Sequence, residues 1–364
     1  MTPVGVVVAC TTIVAEAGVN HDGSLDKALA LVDVAADAGA DIVKFQTFEA
    51  SRVVTASAPQ AAYQKARAPA GSQHGMLQAL MLDWDAHEVL YSRCADRGVE
   101  FLSTAFDARS LERLVELGLR RVKVPSGELT NGPLLLAFAR AALPLVVSTG
   151  MANLAEVEAA LGVIAYGRRH ANGRPTRVEL DAAYATAVRD GSLADAVTLL
   201  HCTSSYPTMA QDANLAAMDT LRGFGLPVGY SDHTLGTAVS LAAVARGAVV
   251  LEKHVTLDRT SPGPDHAASL EPAELKRLVA DVRTVEAASG SPVKWPTASE
   301  LDTRSVARRS IVAARPIAAG EAFDTENLTV LRPGTGRSPM SLWDLLGRSA
   351  SRAYGLHEPI DASE

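Results

Sequence analysis

Short apolar runs rich in β-branched residues alternate along this chain with alanine- and leucine-rich stretches of helical period. Eight runs read as strands: residues 12–18 (TIVAEAG), 41–47 (DIVKFQT), 100–106 (EFLSTAF), 121–127 (RVKVPSG), 144–150 (PLVVSTG), 197–204 (VTLLHCTS), 227–232 (PVGYSD) and 249–255 (VVLEKHV). After the first run, Leu25, Leu29, Val32 and Ala36 recur at three- and four-residue steps, which predicts an amphipathic helix. Ser24 is its N-cap, with Lys27 where a capping box would place an acid, and Gly39 ends it. Residues 108–120 repeat the design, with Gly118 as terminator. Eight β–α units in about 290 residues predict a (β/α)8 TIM barrel. A doubly wound sheet is the alternative, but no G-x-G-x-x-G follows the first strand.

The spacing also marks the departures. The link over 48–83 is long and rich in Ala, Gln and Pro, and is expected to loop over one rim. Residues 167–196 exceed an ordinary helix–strand link and are expected to be an insertion with some helix. The eighth helix is expected over 271–289, closing a barrel domain at 1–288. A Ser- and Pro-rich linker follows at 289–304, and a small β-rich domain at 305–364.

Composition narrows the function classes. A hydrophobic share of 48%, a charged share of 21% and a net charge of −7 describe a soluble globular chain without the clustered positive charge that nucleic acid demands. No run reaches the roughly 18 apolar residues of a membrane span. The opening run over 4–18 lacks a basic leader and is interrupted by Glu16, so it reads as a buried strand rather than a targeting signal. Cys10, Cys94 and Cys202 are odd in number and far apart, as expected of free thiols in the cytoplasm.

In a barrel of this kind the C-terminal strand ends converge on one face. All eight ends here are polar: Glu16; Lys44 and Gln46; Ser103 and Thr104; Lys123, Ser126 and Glu128; Ser148; His201, Ser204 and Tyr206; Ser231 and His233; Glu252 and His254. Lys44, Lys123 and Lys253 lie on strands that should be buried, so they need anionic partners. Glu16, Glu128 and Glu252 can supply some of these, and a bound phosphate or carboxylate the rest. That is the footprint of a small anionic substrate.

Ser231, Asp232 and His233 have the residue types of a hydrolase triad, but successive strand residues face opposite ways and no G-x-S-x-G elbow is present. His233 and His254 end neighbouring strands and read either as a pair able to ligate one divalent ion or as two structural histidines. In SPGPDH, the Pro-Gly-Pro turn would hold Asp265 over the rim, as a solvated acid, a group for substrate hydroxyls or a base.

These segments, with RVKVPSGELTNGPLL, LLHCTSSYPT, GYSDHTLG, the PGPDH turn and the tail LRPGTGRSP, resemble the sialic acid synthase family of N-acetylneuraminate, legionaminate and pseudaminate synthases along nearly the whole chain. The resemblance implies a (β/α)8 barrel joined to an antifreeze-like (SAF) domain. It implies condensation of phosphoenolpyruvate with the open-chain aldehyde of an N-acetylmannosamine-type hexosamine, giving a 2-keto-3-deoxy acid and phosphate. Legionaminate-type, pseudaminate-type or secondary-metabolite acceptors are the alternatives. It implies a divalent ion, commonly manganese with magnesium or cobalt as alternatives, on His233 and His254. It also implies a domain-swapped homodimer in which Arg332 reaches the partner's site. Glu16, Lys44, Lys123, Glu128 and Asp265 match catalytic positions; Thr104, Ser126, Ser148, Ser204, Tyr206 and Ser231 match substrate-binding ones. The sequence departs from the usual family pattern at Ser204 and Ser205, and the stretch before the first strand is shorter than the family's N-terminal hairpin. The distant alternatives are a sugar-phosphate aldolase-like barrel and a non-catalytic sugar-binding barrel.

Overall fold

The computed structural model describes residues 10–60 and 72–364. The start of the first apolar run, and the part of the second link over 61–71, lie outside the described residues. The chain divides into two compact units, one up to Gly290 and one from Ser291 to Glu364.

In the first unit, β1 (Thr12–Gly18), β2 (Ile42–Thr47), β3 (Glu100–Ala105), β4 (Val122–Val124), β5 (Leu145–Ser148), β6 (Val197–Cys202), β7 (Val228–Asp232) and β8 (Val250–His254) form a closed barrel in sequence order. Every neighbouring pair is parallel, and β8 returns to β1. The closed ring rules out the doubly wound alternative. The helix after β1, Leu25–Ala38, starts where the Ser24 side chain accepts the Lys27 N–H and stops at Gly39, whose φ of 80° suits the left-handed cap. Its Leu31, Val32 and Ala35 are fully buried in the cluster that includes Ile13, Val43 and Phe45 of the strands. Burying the Leu31 and Val32 side chains contributes about 1.5–3 kcal/mol each.

One strand differs from the sequence expectation, and the insertion meets it. The fourth strand ends at Val124 rather than 127, because Pro125 has no N–H to continue the ladder; a 3-10 turn, Ser126–Glu128, follows. The insertion carries a full helix, Arg177–Asp190, opened by a Thr176–Glu179 capping box. It packs on the helix Leu154–Arg169, where the absent side chain of Gly162 admits the Leu180 carbonyl. The long second link holds the short helices Ala50–Val53 and Gln73–Ala79.

In the second unit, the expected linker ends in the helix Glu300–Ala307. Beyond it, β9 (Ser310–Ala313) and β10 (Leu328–Leu331) pair antiparallel over a small core that includes Ile311, Ile317, Phe323, Leu345 and Tyr354. No helix among the described residues is long and apolar enough to cross a membrane.

The register of β7 on β8 places Asp232 opposite Lys253 on the face turned away from the barrel interior. Their side chains are fully buried and pair at 3.0 Å, and Asp232 also accepts from the Thr234 N–H and the Ser240 hydroxyl. Lys253 is thus neutralised by its own scaffold and takes no part in the cavity. Lys253→Met strands the Asp232 charge and is expected to destabilise the barrel by about 3–5 kcal/mol, read as a lowered urea midpoint of its unfolding transition. A midpoint unchanged from wild type would show that the pair carries no such burden.

Candidate active site

Strand register builds the floor of the site. Glu16 stands opposite Lys44 on one side and His254 on the other, and Ser231 stands opposite Glu252. These side chains point into the barrel, where solvent barely reaches them. Lys44 forms an ion pair with Glu16, lies 3.4 Å from Glu252 Oε2 and donates to Thr104 Oγ1 at 3.3 Å. Lys123 Nζ donates to Glu252 Oε1 at 3.1 Å, and the same oxygen accepts the Ser231 hydroxyl at 2.8 Å.

The two carboxyl groups therefore behave differently. Burial alone would raise Glu252, but Lys123, Lys44 and the Ser231 hydroxyl outweigh it and hold the group well below the usual carboxylate range. Burial pushes Glu16 up to about 7 against the pull of Lys44, and the charge of Glu252 adds to the rise. Burial also lowers Lys123, with Lys44 adding to it and Glu252 opposing, whereas in Lys44 the two carboxylates overcome burial and raise it.

A hydroxyl cradle lies beside this floor. Ser126 Oγ accepts the Gly150 N–H at 3.1 Å and touches Cys202 Sγ at 3.2 Å. The Ser148 hydroxyl is buried with no partner among the described residues. A Cβ on Gly150 would collide with Ser204 Oγ and lie 2.8 Å from Ser126 Oγ, so glycine is what lets these hydroxyls converge. Buried hydroxyls without internal partners are prepared for a ligand with several acceptor oxygens.

The histidine rings lie with centroids 5.6 Å apart. His233 Nδ1 donates to the Thr203 carbonyl at 2.7 Å, which leaves the Nε2 lone pair available. Burial lowers His233 to about 4 and lowers His254 well below its ordinary value, so both rings are neutral. His254 Nδ1 is buried with no hydrogen-bond partner among the described residues. Two neutral imidazoles, one fixed through its second nitrogen by a carbonyl and one with an orphaned nitrogen, fit a divalent ion. No cluster of three His, Cys, Asp or Glu able to hold a metal ion forms among the described residues. The Tyr206 ring sits 4.2 Å from His233 and edge-on to His254 at 5.9 Å.

These groups line one cavity of about 510 Å³, within the range of small-molecule sites. Its upper wall is apolar: the second link contributes Phe48, Val53, Met76, Leu77 and Leu80, joined by Phe106 and Met151. Asp265 enters from the loop after β8, and burial raises its carboxyl group to about 6.

Twelve of the sequence-derived candidates line this cavity: Glu16, Lys44, Thr104, Lys123, Ser126, Ser148, Ser204, Tyr206, Ser231, His233, His254 and Asp265. Two do not. Glu128 follows the turn that Pro125 starts, lies outside the cavity lining and accepts from Asn131 Nδ2 at 2.7 Å, which corrects the expectation that it partners the lysines. Arg332 is exposed in the second unit, just after β10. Conversely, Glu252 is central to the floor, yet sequence reasoning treated it only as a partner for lysines. The signal was present: Glu252 and His254 are two apart on one strand and share a face, just as Ser231 and His233 do.

The model of the NeuB family matches residues 31–294, and that of the SAF domain matches residues 308–364. An N,N'-diacetyllegionaminic acid synthase of Legionella pneumophila is 45% identical, over 93% of this chain and 90% of its own length. Its namesake in Campylobacter jejuni is 44% identical, over 96% and 98%. The mouse N-acetylneuraminate-9-phosphate synthase is 33% identical, over 92% and 87%. Among solved structures, an N-acetylneuraminic acid synthetase from Leptospira borgpetersenii in complex with citrate is 32% identical, with a TM-score of 0.67, covering 81% of this chain and 90% of that one. A closed barrel with this polar floor, matched by the family model over most of its length and followed by a SAF domain, places the chain in the NeuB family.

Proposed function

We propose that this protein is a nonulosonic acid synthase. It condenses phosphoenolpyruvate with the open-chain aldehyde of an N-acylated hexosamine and releases inorganic phosphate. The observation that carries the reading is the buried floor in which two ammonium groups, Lys44 and Lys123, stand beside the unpartnered Ser148 hydroxyl. Phosphoenolpyruvate presents a phosphate and a carboxylate on three carbons, and Lys44, Lys123, Thr104, Ser126, Ser148 and Ser231 offer charge and donors for both.

The enol carbon attacks the aldehyde carbon, and water then adds at the carbon bearing the phosphate ester. Collapse of that centre forms the ketone and expels phosphate, so the net reaction consumes one water. Glu16, raised into the neutral range, takes the proton of the attacking water. Asp265, also raised, gives a proton to the oxygen that was the aldehyde. Glu252 stays ionised and holds both lysines in place. His233 and His254 would hold a divalent ion, manganese in our reading, which would supply Lewis-acid polarisation of the aldehyde.

An acceptor with two N-acetyl groups is favoured over N-acetylmannosamine. The relatives at 44–45% identity are N,N'-diacetyllegionaminic acid synthases, and the apolar wall of Phe48, Met76, Leu77 and Met151 offers a surface for acetamido methyl groups. The unpaired cysteines accord with a cytoplasmic enzyme. The exposed Arg332 accords with a swapped homodimer in which the tail of one protomer completes its partner's site.

In a phosphate-release assay with phosphoenolpyruvate and manganese, a di-N-acetylated acceptor is expected to exceed N-acetylmannosamine by about tenfold or more in kcat/KM. A reversed ratio would select the N-acetylmannosamine reading, and no release with any acceptor would remove the synthase reading. His233→Ala and His254→Ala should each abolish manganese binding by calorimetry and lower turnover by about a hundredfold or more, with circular dichroism unchanged. Full activity of wild type in excess chelator would refute the metal assignment. Arg332→Ala should raise KM or lower kcat by about tenfold, and deletion of residues 305–364 should cost more. An unaffected truncation, monomeric by light scattering, would exclude the swapped tail.

A further inference from the structure

The Asp265 carboxyl group is buried in the cavity yet makes no hydrogen bond among the described residues, so its side chain has no partner to aim it. Its position must come from the backbone that carries it, and that backbone is tied down on both sides. The Asp265 carbonyl accepts the Ser269 hydroxyl at 2.7 Å and the Ala268 N–H at 3.1 Å. Ser269 Oγ in turn accepts from Asn20 Nδ2 at 2.9 Å, and the same amide donates to the Val255 carbonyl at 2.8 Å. The next residue, His266, turns away from the cavity and is 2% exposed. Its Nε2–H donates to Asp22 Oδ1 at 3.0 Å and its Nδ1 pairs with Thr256 Oγ1 at 2.7 Å. Asp22 is itself held by Lys27 Nζ at 2.7 Å, at the start of the first barrel helix. Gly263, at φ +152°, lies so close that an added Cβ would stand 2.7 Å from the His266 ring.

We propose that the Asp22–His266–Thr256 chain, backed by Asn20–Ser269, is a clasp between the loops after the first and eighth strands that fixes the Asp265 carboxyl group over the reacting atoms. His266 is then a positioning residue, and it acts only through Asp265. The inference rests on the synthase reading above. Lys44, Lys123 and Ser148, the groups offered to phosphoenolpyruvate, stand on β2, β4 and β5, and none of them is bonded to a member of the clasp. A misplacement on the order of 1 Å at a reacting group costs about a hundredfold in rate, so loosening the clasp touches kcat and spares phosphoenolpyruvate binding.

The test is a double-mutant cycle of His266→Ala and Asp265→Asn, read by steady-state phosphate release, with thermal unfolding as the fold control. His266→Ala alone should lower kcat by about ten- to a hundredfold, with the KM for phosphoenolpyruvate within about twofold of wild type. In the Asp265→Asn background the same change should have an effect of about twofold or less, because the group it positions has already been altered. His266→Gln, which keeps an amide donor for Asp22, should recover part of the loss. Multiplicative effects, or a KM that rises in step with the loss, would overturn the clasp while leaving the synthase reading intact. A wild-type enzyme that releases no phosphate would overturn both. Should His266→Ala fail to fold, Thr256→Val and Asn20→Ser run through the same cycle with the same expected non-additivity.

Discussion

Everything in the site depends on one buried carboxylate. Glu252 accepts from Lys123 and Ser231 and lies against Lys44, in a place where an unpaired charge of either sign would cost several kcal/mol. Two lysines cannot stand at the floor of a barrel without it, and it cannot remain ionised without them. Because the balance is struck within the scaffold, the ammonium groups are fixed before any ligand arrives. Little reorganisation is left for the moment of reaction. Glu16 occupies the complementary position: it shares Lys44 but bears the burial penalty, and is thereby held near neutrality. One set of strand registers thus gives two glutamates opposite characters, one raised by burial and one held ionised by its lysines.

Alternation along strands was the most informative feature of the sequence. It separated Ser231 and His233 from Asp232, and the structure puts the first two in the cavity and the third against Lys253 on the outer face. The barrel itself was legible because eight apolar runs recur between helical stretches with glycine terminators. What the sequence could not reveal was which strand neighbours meet. Lys253 looked like a charge in need of an anionic partner, and the β7–β8 register supplies Asp232. Glu128 looked like a floor residue until Pro125 turned the chain. The apolar wall was invisible for a different reason: Phe48, Met76, Leu77 and Leu80 come from a link without strand periodicity, and only folding brings them over the rim.

The loops add a second layer of order. Asn20, Asp22 and His266 lie outside the lining, yet they tie the first and last strand loops together where the barrel closes. A ring of strands has a seam where its chain ends meet, and here polar bonds as well as the β1–β8 ladder cross it. The acid at position 265 is carried on that seam.

The cavity also divides its work along the chain. The charged floor is built from ladder residues, each locked by neighbours on both sides. The apolar wall is largely contributed by the connection between β2 and β3, which donates no rung to the barrel. Under the proposed reaction, a change in that connection would alter the surface offered to the acceptor and leave the ladder residues of the charged floor in place.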